Sequence, residues 1–280
     1  MKIRKIMAAI MAAMTSVAMA QQRTDILIWN ENAPQEQARA AAESKDLDKD
    51  PAITVYKAAK PNGKAIVMCP GGGYSHLATA HEGHDMAPWM NSLGITYVVL
   101  KYRMPHGDST VPLADAEQAM RIVRAHAAEW GIDPGKIGVM GASAGGHLAS
   151  TLATHYGSKE TRPDFQVLFY PVVSMDPAVT HMGSRDNLLG KNPSKELQDR
   201  FCNEKQVDKD TPKAFIMLSG DDGAVPPANS IGYFNALNAN GIPVSLHLYP
   251  EGGHGWGFRD SFKYKRQWTG ELEKWLREDL

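Results

Sequence analysis

Three observations predict an α/β architecture, a mostly parallel central sheet with helices on both faces. Runs such as Ala65-Ile66-Val67-Met68-Cys69 and residues 95–100 are almost wholly apolar, as strands are when a sheet is covered on both sides. Such runs alternate with helical segments in the order strand, helix, strand, helix, strand, helix, the pattern of parallel strands joined by crossover helices. Glycine-rich stretches stand directly after three strands, at Gly71-Gly72-Gly73, Gly141 and Gly252-Gly253, where the loops of such a sheet converge on one edge.

The first element is a leader. Met1-Lys2-Ile3-Arg4-Lys5 is followed by an apolar run over 6–20 that ends Ala18-Met19-Ala20, so residues 1–20 read as a signal peptide cut after Ala20. The run is short for a membrane span and has no stop-transfer flank, and the chain is expected to be exported to a periplasm or beyond. Removing Lys2, Arg4 and Lys5 from 30 basic side chains leaves 27 against 31 acidic ones, a net charge of −4. That balance excludes nucleic acid and anionic membrane surfaces as expected partners. Residues 21–280 are read as a single domain, since open α/β sheets reach that size around one core. Cys69 and Cys202 are too few for a disulfide framework; one bridge is permitted, and Cys69, at the end of an apolar strand, reads as a buried free thiol.

The mature chain opens with Ile26-Leu27-Ile28-Trp29 and a charged, alanine-rich connector that reads as a solvated loop. Strands follow at 53–56 and 65–69, then a helix over 82–93 closed by Gly94, and a strand over 95–100. Leu113, Ala116, Met120, Val123, Ala127 and Trp130 recur at spacings of three and four, predicting one long amphipathic helix that ends at Gly131. A strand over 137–140 runs into a helix containing 148–153, and another strand spans 167–170. Residues 172–213 are polar and lack a strand, with one short helical candidate over 196–201. A connection of that length reads as a lid or pocket wall placed before the penultimate strand, or as a passive surface insertion. Strands at 214–218 and 244–249 flank a helix over 229–238, and a charged amphipathic helix ends the chain with Phe262, Trp268, Leu272, Trp275 and Leu276 facing inward.

The chemistry concentrates at the strand ends. Gly141-Ala142-Ser143-Ala144-Gly145 fits G-x-S-x-G, a strand-to-helix turn that holds a serine strained and exposed; the flanking glycines and alanines leave room for the bend. Ala144 then stands at a helix N-terminus, where partial positive charge favours an oxyanion. Gly71-Gly72-Gly73 offers backbone N–H groups free of side chains. A serine needs a base, and the base an orienting carboxylate. Among ten histidines, His254 alone follows the last strand in a glycine-rich loop; His126, His155 and His247 read as helix or strand residues. Asp221 and Asp222 compete for the acid; the Asp-x-x-Val-Pro spacing of Asp222 resembles the usual position in the α/β-hydrolase superfamily, which favours it, and a turn-capping role suits Asp221. Ser143, Asp222, His254 is the chain order that α/β-hydrolases use. His81-Glu82-Gly83-His84 lacks zincin spacing and a third ligand, so no metal is assigned.

On Pro70-Gly71-Gly72-Gly73-Tyr74, Lys101-Tyr102-Arg103, Gly138 through Leu148 and Gly252 through Gly257, the sequence resembles α/β-hydrolase esterases of the hormone-sensitive-lipase-like and carbohydrate-esterase kind. It looks most like exported bacterial acetylxylan esterases. The resemblance implies an α/β-hydrolase fold, oxyanion donors at Gly72, Gly73 and Ala144, and an acyl-enzyme route that removes acetyl groups from an acetylated oligo- or polysaccharide without any cofactor. Pro70 stands where that family usually has histidine, which leaves the glycine N–H groups available and the loop's usual anchoring open. Tyr74 and Trp256 adjoin the catalytic loops and read equally as sugar-stacking rings or as ordinary packing. A feruloyl or general short-chain carboxylesterase is the nearest rival. Prolyl-peptidase-like enzymes share the triad order but usually carry a large extra domain; a glycosidase needs two carboxyl groups flanking one bond; a noncatalytic sugar-binding protein would bind without turnover.

Overall fold

A computed structural model describes residues 23–29 and 50–280. The leader over 1–20 and the connector over 30–49 lie outside the described residues. An eight-stranded sheet runs through the molecule in the order β1-β2-β4-β3-β5-β6-β7-β8. Its strands are β1 (Arg23–Leu27), β2 (Ala52–Tyr56), β3 (Gly63–Cys69), β4 (Thr96–Lys101), β5 (Ile132–Ala142), β6 (Gln166–Phe169), β7 (Ala214–Ser219) and β8 (Val244–Tyr249). From β4 to β8 every neighbouring pair is parallel, while β1 and β2 run antiparallel at one edge. The expected mostly parallel sheet is therefore present, with a two-strand antiparallel margin.

Period-two alternation distributes the core. Ala65, Val67 and Cys69 enter one hydrophobic cluster, and Ile66 and Met68 the cluster on the opposite face. The first face is covered by α2 (Thr110–Ala125), α4 (Ala144–His155) and α7 (Ala228–Ala239), the second by α1 (Ala87–Ser92) and α8 (Lys265–Glu278). Trp268, Leu272, Trp275 and Leu276 are the buried stripe of α8, as its spacing predicts. Truncating a fully buried Trp such as Trp268 costs about 3–5 kcal/mol. Cys69 and Cys202 are both buried free thiols. Among the described residues no helix is long and apolar enough to cross a membrane.

Four elements differ from expectation, the simplest being β5, which begins at Ile132 rather than at 137. The helix expected over 82–93 begins later, as a 3₁₀ turn at His84–Met86 leading into α1, because Glu82 is held inward by bonds described below and Pro88 suits only a helix start. The long helix breaks at His126, and a short α3 (Ala127–Trp130) ends at Gly131 in the left-handed conformation. The 172–213 insertion contains α5 (Met182–Leu189) as well as the expected short helix, α6 (Lys195–Arg200). One glycine and four polar residues in a row give α5 no apolar stripe to be read.

Candidate active site

Ser143 occupies the corner between β5 and α4 with φ 54° and ψ −121°. A non-glycine residue there stores about 1–3 kcal/mol of strain, held by surrounding bonds. Ser143 N donates to the Phe169 carbonyl at 3.0 Å, and the Ser143 carbonyl accepts from Val172 N at 3.0 Å and His147 N at 3.1 Å. The flanking glycines are required sterically. A Cβ on Gly145 would stand 2.1 Å from the Cys69 carbonyl oxygen, and one on Gly141 2.1 Å from the Gly145 carbonyl oxygen.

The fold brings the three expected side chains into one line. Ser143 Oγ lies 2.8 Å from His254 Nε2, and His254 Nδ1 lies 2.7 Å from Asp222 Oδ2. Asp222 Oδ1 accepts from the N–H groups of Ala224 and Val225, each at 2.9 Å, so the carboxylate is satisfied on both oxygens and buried. With a carboxylate against Nδ1, the ring keeps its proton there and presents the Nε2 lone pair to the serine hydroxyl. Asp221 has another task. It accepts from Gly252 N at 3.2 Å and Gly253 N at 2.8 Å, caps the loop that carries His254 rather than its own turn, and is held below the usual carboxylate range chiefly by the Gly253 N–H.

The glycine loop faces this line. Gly72 and Gly73 have φ of 132° and 65°, conformations that suit glycine, and their N–H groups, like that of Ala144, have no acceptor among the described residues. Such unpaired donors beside a serine are what a developing oxyanion needs. Pro70 removes the histidine anchor, and other groups hold the loop. Tyr102 Oη donates to the Pro70 carbonyl at 2.7 Å, Glu82 Oε2 accepts from Gly71 N at 3.0 Å, and Asn187 Nδ2 donates to the Gly73 carbonyl at 2.8 Å.

Glu82 also accepts on Oε1 from Tyr170 Oη at 2.7 Å, and that phenol accepts from Gly257 N at 2.8 Å. One buried carboxylate and one phenol thereby tie the glycine loop to the His254 loop. Burial pushes the Tyr170 hydroxyl well above its ordinary pKa, so it stays protonated and donates. Sequence reasoning missed Glu82, Tyr170 and Asn187. Glu82 read as a helix start, and no local pattern marks a carboxylate that folds back on a glycine N–H eleven residues earlier.

Tyr74 and Trp256 do not offer faces to a sugar. Tyr74 is 2% exposed, its hydroxyl 2.9 Å from His147 Nδ1 and its ring edge-on to Tyr102. Trp256 is 4% exposed, donates to Ser219 Oγ at 3.1 Å and stacks on Phe262 with centroids 4.1 Å apart. Packing takes both rings because each follows glycines whose turn directs the next side chain back into the core. His147, beneath Tyr74, is fully buried; Nε2 lies 2.9 Å from the Phe201 carbonyl, and burial pushes its pKa down to about 4.

Above Ser143 opens a cleft of about 430 Å³, bounded by the glycine loop, His254, His181, Ala224 and Arg259. A larger groove of about 630 Å³ shares Ser75 and His76 with it but does not reach Ser143. Among the described residues no group of three or more His, Cys, Asp or Glu is placed to hold a metal. Of the His81 to His84 cluster, His81 Nε2 stands 3.9 Å from Glu82 Oε1, while His84 turns away to bond Tyr56 Oη at 3.0 Å.

Residues 66–258 match a family model described as the alpha/beta hydrolase fold. An acetylxylan esterase of Xylanibacter ruminicola is 46% identical over 221 residues, 78% of this chain and 46% of that protein. Endo-1,4-beta-xylanase B of Butyrivibrio fibrisolvens is 36% identical over 68% of this chain and 32% of its own length. The chain thus spans less than half of either relative. The crystal structure of an acetyl ester-xyloside bifunctional hydrolase from Caldicellulosiruptor lactoaceticus superposes with a TM-score of 0.83 at 34% identity, over 94% of this chain and 98% of that one.

Proposed function

The chain belongs to the alpha/beta hydrolase family, and from that premise we propose that it is a serine carboxylic-ester hydrolase that removes acetyl groups from hemicellulose sugars. One observation carries the reaction class: a serine hydroxyl bonded to an imidazole that a buried carboxylate orients, beside three unpaired backbone N–H groups. Ser143 Oγ attacks the ester carbonyl carbon and passes its proton to His254 Nε2, while Gly72, Gly73 and Ala144 receive the oxyanion. Collapse breaks the bond to the sugar oxygen, which takes that proton from His254. Water then gives a proton to His254 and adds to the acyl carbon; Ser143 leaves, recovers the proton, and acetic acid is released as acetate.

The acetylated sugar substrate is carried over from the two similar hydrolases named for acetyl esters of xylan or xyloside. A glycosidase reading finds little support at this cleft. Glu82 is the one acid on its wall among the described residues, and both its oxygens are engaged. Rates on acetylated xylan, p-nitrophenyl acetate, a feruloyl ester and a peptide anilide test the assignment. Highest efficiency on acetylated xylan is expected, and highest efficiency on the anilide would overturn it. Export belongs to the same proposal: N-terminal sequencing of the mature protein is expected to begin at Gln21.

A further inference from the structure

The insertion between β6 and β7 brings one unspent polar group to the cleft. His181 caps α5, with Nδ1 accepting from Ser184 N at 3.2 Å and lying 2.8 Å from Ser184 Oγ. A ring nitrogen that accepts from a backbone N–H carries no proton, so the neutral imidazole bears its proton on Nε2. That nitrogen has no hydrogen-bond partner among the described residues.

The ring is also well placed. It lines the cleft together with Ser143, Gly73 and His254, and its Cε1 stands 3.7 Å from where a Cβ on Gly73 would be. Asn187, on the same helix, bonds the Gly73 carbonyl, which fixes His181 relative to the amide donors. Burial first, with nearby His254 adding to it, holds the imidazole below its usual pKa, so the group is an uncharged donor at neutral pH. Arg259, also on the cleft, is exposed and makes one long side-chain hydrogen bond, 3.4 Å from Nη2 to His81 Nδ1.

We propose that His181 determines specificity: its Nε2–H donates to the sugar hydroxyl next to the acetyl ester, so that esters bearing that hydroxyl are favoured over esters lacking it. The inference rests on the esterase reading above. A site built around a directed donor rejects the analogue without the acceptor, because the donor is then left unpaired.

The test compares a monoacetylated methyl xyloside with its deoxy analogue lacking the neighbouring hydroxyl, and both with p-nitrophenyl acetate. The unaltered protein is expected to prefer the hydroxylated ester by about tenfold in kcat/KM, mainly through KM. In His181→Ala that ratio should fall to near one, with a smaller loss on p-nitrophenyl acetate than on the hydroxylated ester. His181→Asn keeps a capping oxygen for Ser184 N but is too short to reach the sugar, so it should lose the preference too while α5 stays capped. A preference that survives either substitution, or an equal loss on all three esters, would overturn the inference. Equal use of the two xylosides by the unaltered protein would overturn this inference alone; turnover of p-nitrophenyl acetate but of neither xyloside would remove the substrate assignment as well.

Discussion

The two sides of Ser143 are held in different ways. On the imidazole side, two consecutive residues just past β7 hold the catalytic end of the loop: Asp222 grips the His254 ring and Asp221 grips the glycines before it. On the amide side, Pro70 to Gly73 are secured by Glu82, Tyr102 and Asn187, which come from three separate places in the chain. The first side is anchored from one strand end, the second from three separate segments. Faults in the first should therefore abolish the relay, and faults in the second should misplace donors by degrees.

The largest break is of the relay itself. Ser143→Ala and His254→Ala should each lower kcat by about four to six orders of magnitude while thermal unfolding stays cooperative. Next, Asp222→Asn should cost about three to four orders, since the ring loses its fixed tautomer, and Asp221→Asn much less, since it disturbs only the loop. Steady-state kinetics give the ranking, and the reverse ranking would exchange the two aspartates' roles.

Beneath the amide side, His147 should make stability depend on pH. Its folded pKa of about 4 lies below the ordinary 6.5, so the unfolded chain takes up a proton that the folded chain refuses. The contribution is complete above pH 6.5 and is lost as pH falls from 6.5 toward 4, to the extent of about 3 kcal/mol. Denaturant titrations across that window should show the loss, and His147→Gln should flatten the slope. Smallest is Glu82→Gln, which places an amide where two donors converge. Turnover should fall by about ten- to a hundredfold with KM nearly unchanged, because the substrate still binds while one oxyanion donor shifts. A loss as large as that of Asp222→Asn would erase the contrast between the two sides.

The same contrast explains what could be read from the chain. Ser143, Asp222 and His254 each follow a strand within a few residues and carry a local signature, and the apolar runs of β3 to β7 announce a covered sheet. Glu82 carries no such signature: it stands in a turn rather than just past a strand, and its partners lie 11 and 88 residues away. Residues 182–189 escaped notice because α5 is held by a histidine cap and tertiary bonds rather than by an apolar stripe. Tyr74 and Trp256 were ambiguous because an aromatic residue after a glycine turn can point either way, and only the surrounding rings decide. The break at His126 leaves both helical pieces with the same buried face, so periodicity ran across it.

Tyr170 sets one further condition. Because its phenol is at once donor to Glu82 and acceptor from Gly257, a single oxygen atom acts as the spacer between the loop of the base and the carboxylate that holds the amides. Neither loop can drift to admit a bulkier acyl group without detaching the other. Room for new substrates has to be found on the opposite bank, where His181 of the 172–213 insertion lines the cleft and where replacement leaves that spacer untouched.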